Sequence, residues 1–242
     1  MKVIVIIPAA GMGTRMTSAP VLKGKKPVAT KQFTELGGVP ILIRTLRQFA
    51  SSPEVAEIYV ALRGNEIAGF RARLEKDAND ILQKSIHLVE GGDHRQHSVA
   101  NAMSSVSAAD DDVVLVHDAV RPFITEEIIH EVIRVAQKYG AAIAGLPAVD
   151  TVKQVERTAD GALVTATLPR ERVVLAQTPQ GFRYDVLKKA FDEAAADGFT
   201  GTDEASLVER SGHAVAVVMG SPRNIKITAP GDLELAEFFL KR

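Results

Sequence analysis

Cysteine is absent from this sequence, which excludes disulfides, thiolate metal sites and cysteine nucleophiles. Long apolar runs are missing too, and no stretch approaches the length needed to span a membrane. The opening MKVIVIIPAAGMG lacks a signal peptide's charged lead and extended apolar segment, since only Val3 to Ile7 are strongly apolar, so a cytoplasmic location is expected. Neither sign of charge dominates. Lys and Arg total 29 against 30 Asp and Glu, which gives no reason to expect nucleic acid or a membrane surface as a partner. Any anionic ligand must therefore be met by a local cluster of cations. What remains is ordinary for a globular protein: 242 residues, 46% hydrophobic and 24% charged, enough for one large α/β domain or two small ones.

Short β-branched runs alternate with segments of helical period. Val3–Ile7, Ile58–Leu62, Ile86–Val89, Val113–His117, Ala142–Leu146, Val173–Ala176 and Ala214–Val218 read as strands. The first and fourth are continuously apolar, as strands covered on both faces of a mostly parallel sheet are. Val99, Ala102, Met103 and Val106 share one helical face, as do Ile128, Val132, Val135 and Tyr139. Asp232 marks the start of a last helix with Leu233, Ala236, Phe239 and Leu240 turned inward. The alternation predicts an α/β fold with a doubly wound, mostly parallel, Rossmann-like sheet and ligands at the carboxyl ends of its strands.

Two segments break the pattern. Residues 16–30, MTSAPVLKGKKPVAT, carry two Pro, a Gly and no apolar period, and read as a long mobile loop that would serve as a lid. Residues 148–170 instead hold two extended runs, Thr151–Glu156 and Ala162–Leu168, turning at Ala159-Asp160-Gly161. That is a β-hairpin protruding as an arm from a single domain spanning residues 1–242. No internal repeat, low-complexity tract or linker is visible.

The first strand ends in Pro8-Ala9-Ala10-Gly11-Met12-Gly13-Thr14-Arg15. Glycines in a turn after a strand let the backbone approach a ligand, and successive N–H groups can cradle phosphate oxygens. The turn lacks the third glycine of a dinucleotide fingerprint, Met16 standing in its place, and it lacks the Gly-Lys-Ser/Thr of a P-loop. Alone, it would serve equally to reverse the chain. Five cations follow without a carboxylate between Arg15 and Lys31: Arg15, Lys23, Lys25, Lys26 and Lys31. The middle three fit a solvated face, whereas Arg15 and Lys31 bracket the loop, a forked and a compact charge suited to phosphate.

The fourth strand runs into His117-Asp118-Ala119-Val120-Arg121-Pro122-Phe123, with Asp118 where α/β sheets place ligand contacts; Asp118 capping a helix and pairing with Arg121 is the structural alternative. His117 fits a packed strand-end histidine better than a base. Gly91-Gly92-Asp93, with Arg95 and Ser98 opening the next helix, forms a second backbone-accessible turn suited to a base and ribose. Asn224-Ile225-Lys226-Ile227-Thr228 reads as a short strand in which Lys226 is the only charge. The arm supplies Asp150, Thr151 and Lys153 at its start and Arg170 at its end.

The segments PAAGMGTRM, KQF, GGDHRQHSV, VHDAVRPF, DTVK, QTPQGF, TDEAS and NIKIT, in this order from residue 8 to residue 228, resemble the 2-C-methyl-D-erythritol 4-phosphate cytidylyltransferase family. PAAGxGxR is shared across sugar-phosphate nucleotidyltransferases; the later segments are more specific. The resemblance implies transfer of CMP from CTP to that polyol phosphate in non-mevalonate isoprenoid precursor synthesis, with pyrophosphate released. By position, Arg15 and Lys31 would stabilise the triphosphate, and Arg170 and Lys226 would orient the acceptor. Pro8, Ala9, Ala10, Gly11, Gly13, Gly92, Asp93, Ser98, Asp118 and Ala119 would hold the nucleotide. Asp118, Arg121, Thr151 and Thr178 would line the acceptor side. The family also implies Mg²⁺ held chiefly by the triphosphate, with no protein metal ligands, and a homodimer clasped through the arm. Three departures stand out: residues 16–30 are longer than is usual, Thr30 replaces a typical Pro, and Arg223 stands where an acidic residue is common.

The nearest rival is a cytidylyltransferase for another polyol phosphate such as ribitol 5-phosphate. A non-catalytic nucleotide-binding domain would have little use for Arg15, Lys31, Arg170 and Lys226 together. A nicotinamide-linked dehydrogenase fails on the missing glycine.

Overall fold

The computed structural model describes residues 1–11 and 31–241. The 16–30 loop, with Gly13, Arg15 and the lysines at 23, 25 and 26, lies outside the described residues.

Among those described, a seven-stranded sheet forms the centre. Its strands are β1 (Val3–Pro8), β4 (Val55–Leu62), β5 (Ser85–Glu90), β6 (Val113–Val116), β7 (Ala141–Pro147), β10 (Val174–Arg183) and β11 (Ala216–Met219). They lie in the order β11-β7-β10-β6-β1-β4-β5. β10 runs antiparallel to both β6 and β7, and the other neighbouring pairs are parallel. The helices are α1 (Ile41–Ala50), α2 (Gly64–Asp77), α3 (Arg95–Ser105), α4 (Glu126–Tyr139), α5 (Tyr184–Ala196), α6 (Glu204–Arg210) and α7 (Pro230–Leu240). A two-residue pair, β2 (Glu35–Leu36) with β3 (Val39–Pro40), leads into α1.

β1 shows why the sheet is covered twice. Successive side chains point to opposite faces. Val3, Val5 and Ile7 pack with Leu46 and Phe49 of α1, Phe70 of α2 and Val132 of α4. Ile4 and Ile6 pack with Val99 and Met103 of α3, Leu187 and Phe191 of α5 and Leu207 of α6. An all-apolar strand is thus the expected sequence for its place, because neither face meets water. α4 stops where Gly140 turns into the left-handed region at φ 87° and donates its N–H to Ala136 O at 2.7 Å.

The hairpin is β8 (Val152–Thr158) paired antiparallel with β9 (Gly161–Leu168). Nearly all of its residues are exposed on both faces, including Leu163 and Val164. It forms a sheet of its own, the hairpin expected from the two extended runs that break the strand–helix alternation.

Some expectations are corrected. Residues 224–228 form no strand: Ile227 N–H donates to Val120 O at 2.9 Å, and no ladder follows. Tyr139 is 54% exposed and Leu240 37%, because each ends its helix beyond the packed stripe. The strand read at Val173–Ala176 continues to Arg183, and its polar second half is buried between β6 and β7.

Candidate active site

Three turns meet at the carboxyl ends of β1, β5 and β6. Pro8, Ala9, Ala10 and Gly11 lie beside Gly92, Asp93, Arg95 and Ser98, with Asp118, Ala119, Lys31 and Lys226 closing a cleft of about 240 Å³. Glycine is required where the turns touch. A Cβ on Gly91 would lie 2.6 Å from Ala10 Cβ, and one on Gly92 would collide with His97. A larger groove of about 980 Å³ runs between α4 and β11, but Glu54, Glu126, Glu127 and Glu131 line it without a Lys or Arg. The smaller cleft instead carries Lys31, Arg95 and Lys226 beside Asp93 and Asp118.

Two braces fix the first turn. Gln32 Nε2 donates to Ala9 O at 2.7 Å, and Arg63 Nε donates to Ala10 O at 2.9 Å. Gln32 belongs to the short helical turn Lys31–Phe33, so the brace also locates Lys31. Burial opposes ionisation of Asp232, but the Thr228 and Ala229 donors outweigh it and hold the carboxyl below its ordinary value, with nearby Lys31 adding to the effect.

Asp118 organises a second wall of the cleft. Lys226 Nζ lies 2.9 Å from its Oδ2, Arg121 Nε 3.1 Å from the same oxygen, and Arg95 Nε 3.4 Å from Oδ1. Burial disfavours the carboxylate, yet Arg95, Lys226 and Arg121 outweigh it and hold the group below the usual carboxylate range. Arg121 Nη1 also donates to Asn224 O at 2.7 Å, tying this wall to the segment that carries Lys226. Asp118 does not cap α4, whose N-cap is Thr125.

Behind Asp118, His117 is fully buried and its pKa falls to about 4, chiefly by burial, so its ring is neutral. Its Nε2 lies 3.1 Å from Arg121 O, which can only accept; the ring proton is therefore on Nε2. Nδ1 then accepts from the Thr178 hydroxyl at 3.1 Å, and Thr178 Oγ1 accepts from Asp118 N–H at 3.1 Å. His117 is thus a packed strand-end histidine with both ring nitrogens engaged.

The predicted residues divide accordingly. Pro8, Ala9, Ala10, Gly11, Gly92, Asp93, Ser98, Asp118, Ala119, Lys31 and Lys226 come together around the cleft. Ser98 is 2% exposed and its hydroxyl accepts from Gly92 N–H at 3.1 Å, so it shapes the turn from within. Thr178, expected on the acceptor side, is buried with its hydroxyl engaged by Asp118 and His117; it stands behind that wall. Thr151 and Arg170 lie exposed at the root of the arm, away from the cleft lining, and Arg170 Nη1 donates to Val149 O at 2.9 Å.

Comparison with known proteins decides the family. A model described as 2-C-methyl-D-erythritol 4-phosphate cytidylyltransferase matches residues 3–242. A protein of that name from Acidobacterium capsulatum is 57% identical over 242 residues, spanning 100% of this chain and 98% of its own. The chain belongs to this family. A Solibacter usitatus protein of the same name is 53% identical over 241 residues, spanning 100% of this chain and 96% of its own. The Francisella tularensis 2-C-methyl-D-erythritol 4-phosphate cytidylyltransferase structure superimposes with a TM-score of 0.79 at 34% identity, covering 98% of this chain and 99% of that one.

Within this cytidylyltransferase, sequence reasoning passed over Gln32, Glu204 and Asn224 as individual site residues. Their signal was present inside KQF, TDEAS and NIKIT, but a neutral amide or an unpaired acid announces no chemistry until its partner is known. Arg223, the departure from the family pattern, stacks 4.8 Å over Phe239 and donates to Phe239 O at 3.2 Å, leaving Lys226 to Asp118.

Proposed function

We infer that this cleft joins CMP from CTP to 2-C-methyl-D-erythritol 4-phosphate in non-mevalonate isoprenoid precursor synthesis. An acceptor phosphate oxygen attacks the α-phosphorus of CTP in line. The new P–O bond forms as the bond to the β-phosphate oxygen breaks, and pyrophosphate leaves with that electron pair. Two anions must approach each other, so neutralisation and alignment are the main tasks.

The observation that carries this reading is the gathering of cations and backbone turns around one cleft. Lys31 and Lys226 line it together with the Pro8–Gly11 turn, and Lys226 and Arg121 converge on Asp118 there. The backbone turns at Pro8–Gly11 and Gly92–Ser98 suit a small base read by its edge. Arg15, with Gly13, joins this assignment from the sequence pattern alone.

Mg²⁺ belongs to the proposal as a companion of CTP. Asp118 has its oxygens engaged by three cations, and among the described residues no group of three His, Asp or Glu side chains is placed to hold a metal. In this proposal the triphosphate would chiefly hold the ion, which would supply further charge neutralisation when bound. The proposed assembly is a C₂ homodimer in which the arm carries Thr151 and Arg170 to the partner's cleft. Support comes from an arm exposed on both faces with Leu163 and Val164 open to solvent, since an isolated hairpin is marginal in water. A cytoplasmic location suits two phosphorylated substrates that do not cross membranes unaided. We treat residues 1–242 as one domain with this arm inserted.

The test is pyrophosphate release from CTP against a panel of polyol phosphates. Release is expected with 2-C-methyl-D-erythritol 4-phosphate and little with ribitol 5-phosphate. Equal release with both would redirect the acceptor assignment.

A further inference from the structure

The TDEAS segment places a carboxylate where the transfer chemistry has no direct use for one. Glu204 opens α6 with its side chain 1% exposed, and both of its oxygens accept from Arg95 Nη1 at 2.7 Å. Burial pushes its pKa up, against the pull of Arg95. Removing two charges from water costs more than such a pair commonly returns, and an apolar residue of similar volume would often serve stability as well. Nor does α6 need Glu204 to hold its place. Asp203 caps the helix, accepting from Ser206 N–H at 3.0 Å, and Gln180 donates to Asp203 at 2.7 Å while accepting from Ala205 N–H at 3.0 Å.

The pair has a geometric consequence instead. Arg95 faces two carboxylates, Glu204 through Nη1 and Asp118 through Nε. A guanidinium forks readily onto one carboxylate with two parallel bonds. Released from Glu204, Arg95 would close onto Asp118 and compete with Lys226 and Arg121 for its oxygens. We propose that Glu204 is a positioning residue for the acceptor: by holding the outer edge of Arg95, it confines Arg95 to Oδ1 of Asp118, leaves Oδ2 to Lys226 and Arg121, and so fixes the direction from which those cations meet the acceptor phosphate. The Arg95 charge is then spent between two carboxylates, and Arg95 aligns the wall instead of binding phosphate itself. This rests on the assignment of Lys226 to the acceptor.

The test is a double-mutant cycle on the full-length protein with Glu204→Gln, Lys226→Gln and the pair, read as steady-state kinetics for each substrate. Glu204→Gln keeps side-chain volume and removes the charge. It is expected to lower kcat/KM for the acceptor by about 10–100-fold while the KM for CTP stays within about threefold. On the Lys226→Gln background the same change is expected to cost less than about twofold, because the residue it acts through is gone. Equal losses on both backgrounds, or a matching loss for CTP, would overturn the proposal and leave Glu204 a structural residue. Should Glu204→Gln fail to fold, Arg95→Lys takes its place. Lysine keeps the charge without bridging both carboxylates, and additivity with Lys226→Gln would again reject the coupling. Unaltered acceptor kinetics in Lys226→Gln alone would instead remove the acceptor assignment, and this proposal with it.

Discussion

Gln32 donates its side-chain amide to the carbonyl oxygen of Ala9 at 2.7 Å, across 23 residues of chain and shielded from solvent. The bond joins the turn that ends β1 to the short helix that begins with Lys31, so the backbone cradle and the cation beside it move as one unit. Gln32→Leu keeps the bulk and leaves the Ala9 carbonyl without this donor. An unpaired buried carbonyl costs about 1–3 kcal/mol. For a chain of this size, each kcal/mol lowers Tm by roughly 2–4 °C. The KM for CTP is expected to rise several-fold alongside. A variant with unchanged Tm and unchanged KM for CTP would show that the brace contributes nothing.

His117 gives a pH prediction with a definite sign. Its pKa falls from 6.5 to about 4 in the folded protein, chiefly by burial. Between those values the unfolded chain binds a proton that the folded one refuses, so stability rises with pH across the window. The contribution is complete above about pH 6.5 and is lost as pH falls toward 4, amounting to about 2–4 kcal/mol. Urea unfolding at pH 7 and pH 5 should show the loss. His117→Gln, which cannot titrate there, should show a shallower change over the same interval. An identical slope in the variant would assign the acid sensitivity to other groups.

How far the sequence could be read depended on whether a residue's role was local. Val3–Ile7 and Val113–Val116 were legible because burial on both faces demands an unbroken apolar run. Gly91 and Gly92 were legible as a close approach, though not as an approach to Ala10 and His97. The second half of β10 was not, since Gln177, Thr178 and Gln180 are polar residues in a sheet centre. Their partners, Asn224, Asp118 and Asp203, lie in distant segments. Residues 224–228 erred the other way: an apolar alternation around Lys226 imitates a strand, while Ile225 and Ile227 are taken up by packing near Leu36 and Val120. Asp118 and Lys226 were both singled out from sequence, but only the fold shows that they touch.

Base selectivity follows from the narrowness that the glycines permit. The Gly91–Gly92 turn approaches Ala10 so closely that a methyl group on Gly91 would sit 2.6 Å from Ala10 Cβ. Turns held together this tightly, if they read the base by its edge as proposed, are expected to accept a pyrimidine and to leave a purine without room. CTP should be turned over at least about 100-fold more efficiently than GTP, a ratio within reach of shape discrimination. Gly91→Ala should force the turns apart and lower kcat/KM for CTP while narrowing that ratio. Equal turnover of CTP and GTP by the unaltered protein would remove the base-pocket assignment.

The last prediction concerns the arm and follows from the proposed dimer. Lys31 and Lys226 line the cleft of their own chain, whereas Thr151 and Arg170 stand exposed at the root of the hairpin. If a twofold partner receives the arm, each site takes Lys31 from one subunit and Arg170 from the other. Lys31→Ala should then lower turnover by about 10²–10³-fold, as expected when a charge facing the transition state is removed. Arg170→Ala should show much of its defect in the acceptor's KM. Mixing the two variants under conditions of subunit exchange makes half of the dimers mixed. Each mixed dimer holds one site with both residues and one with neither, so about a quarter of wild-type sites should return. Were both residues to serve the same subunit, every site in the mixture would carry one lesion and activity would stay at the mutant baseline. Exchange is to be verified with distinguishable tags; a flat result after verified exchange rejects the shared site and confines each arm to its own chain.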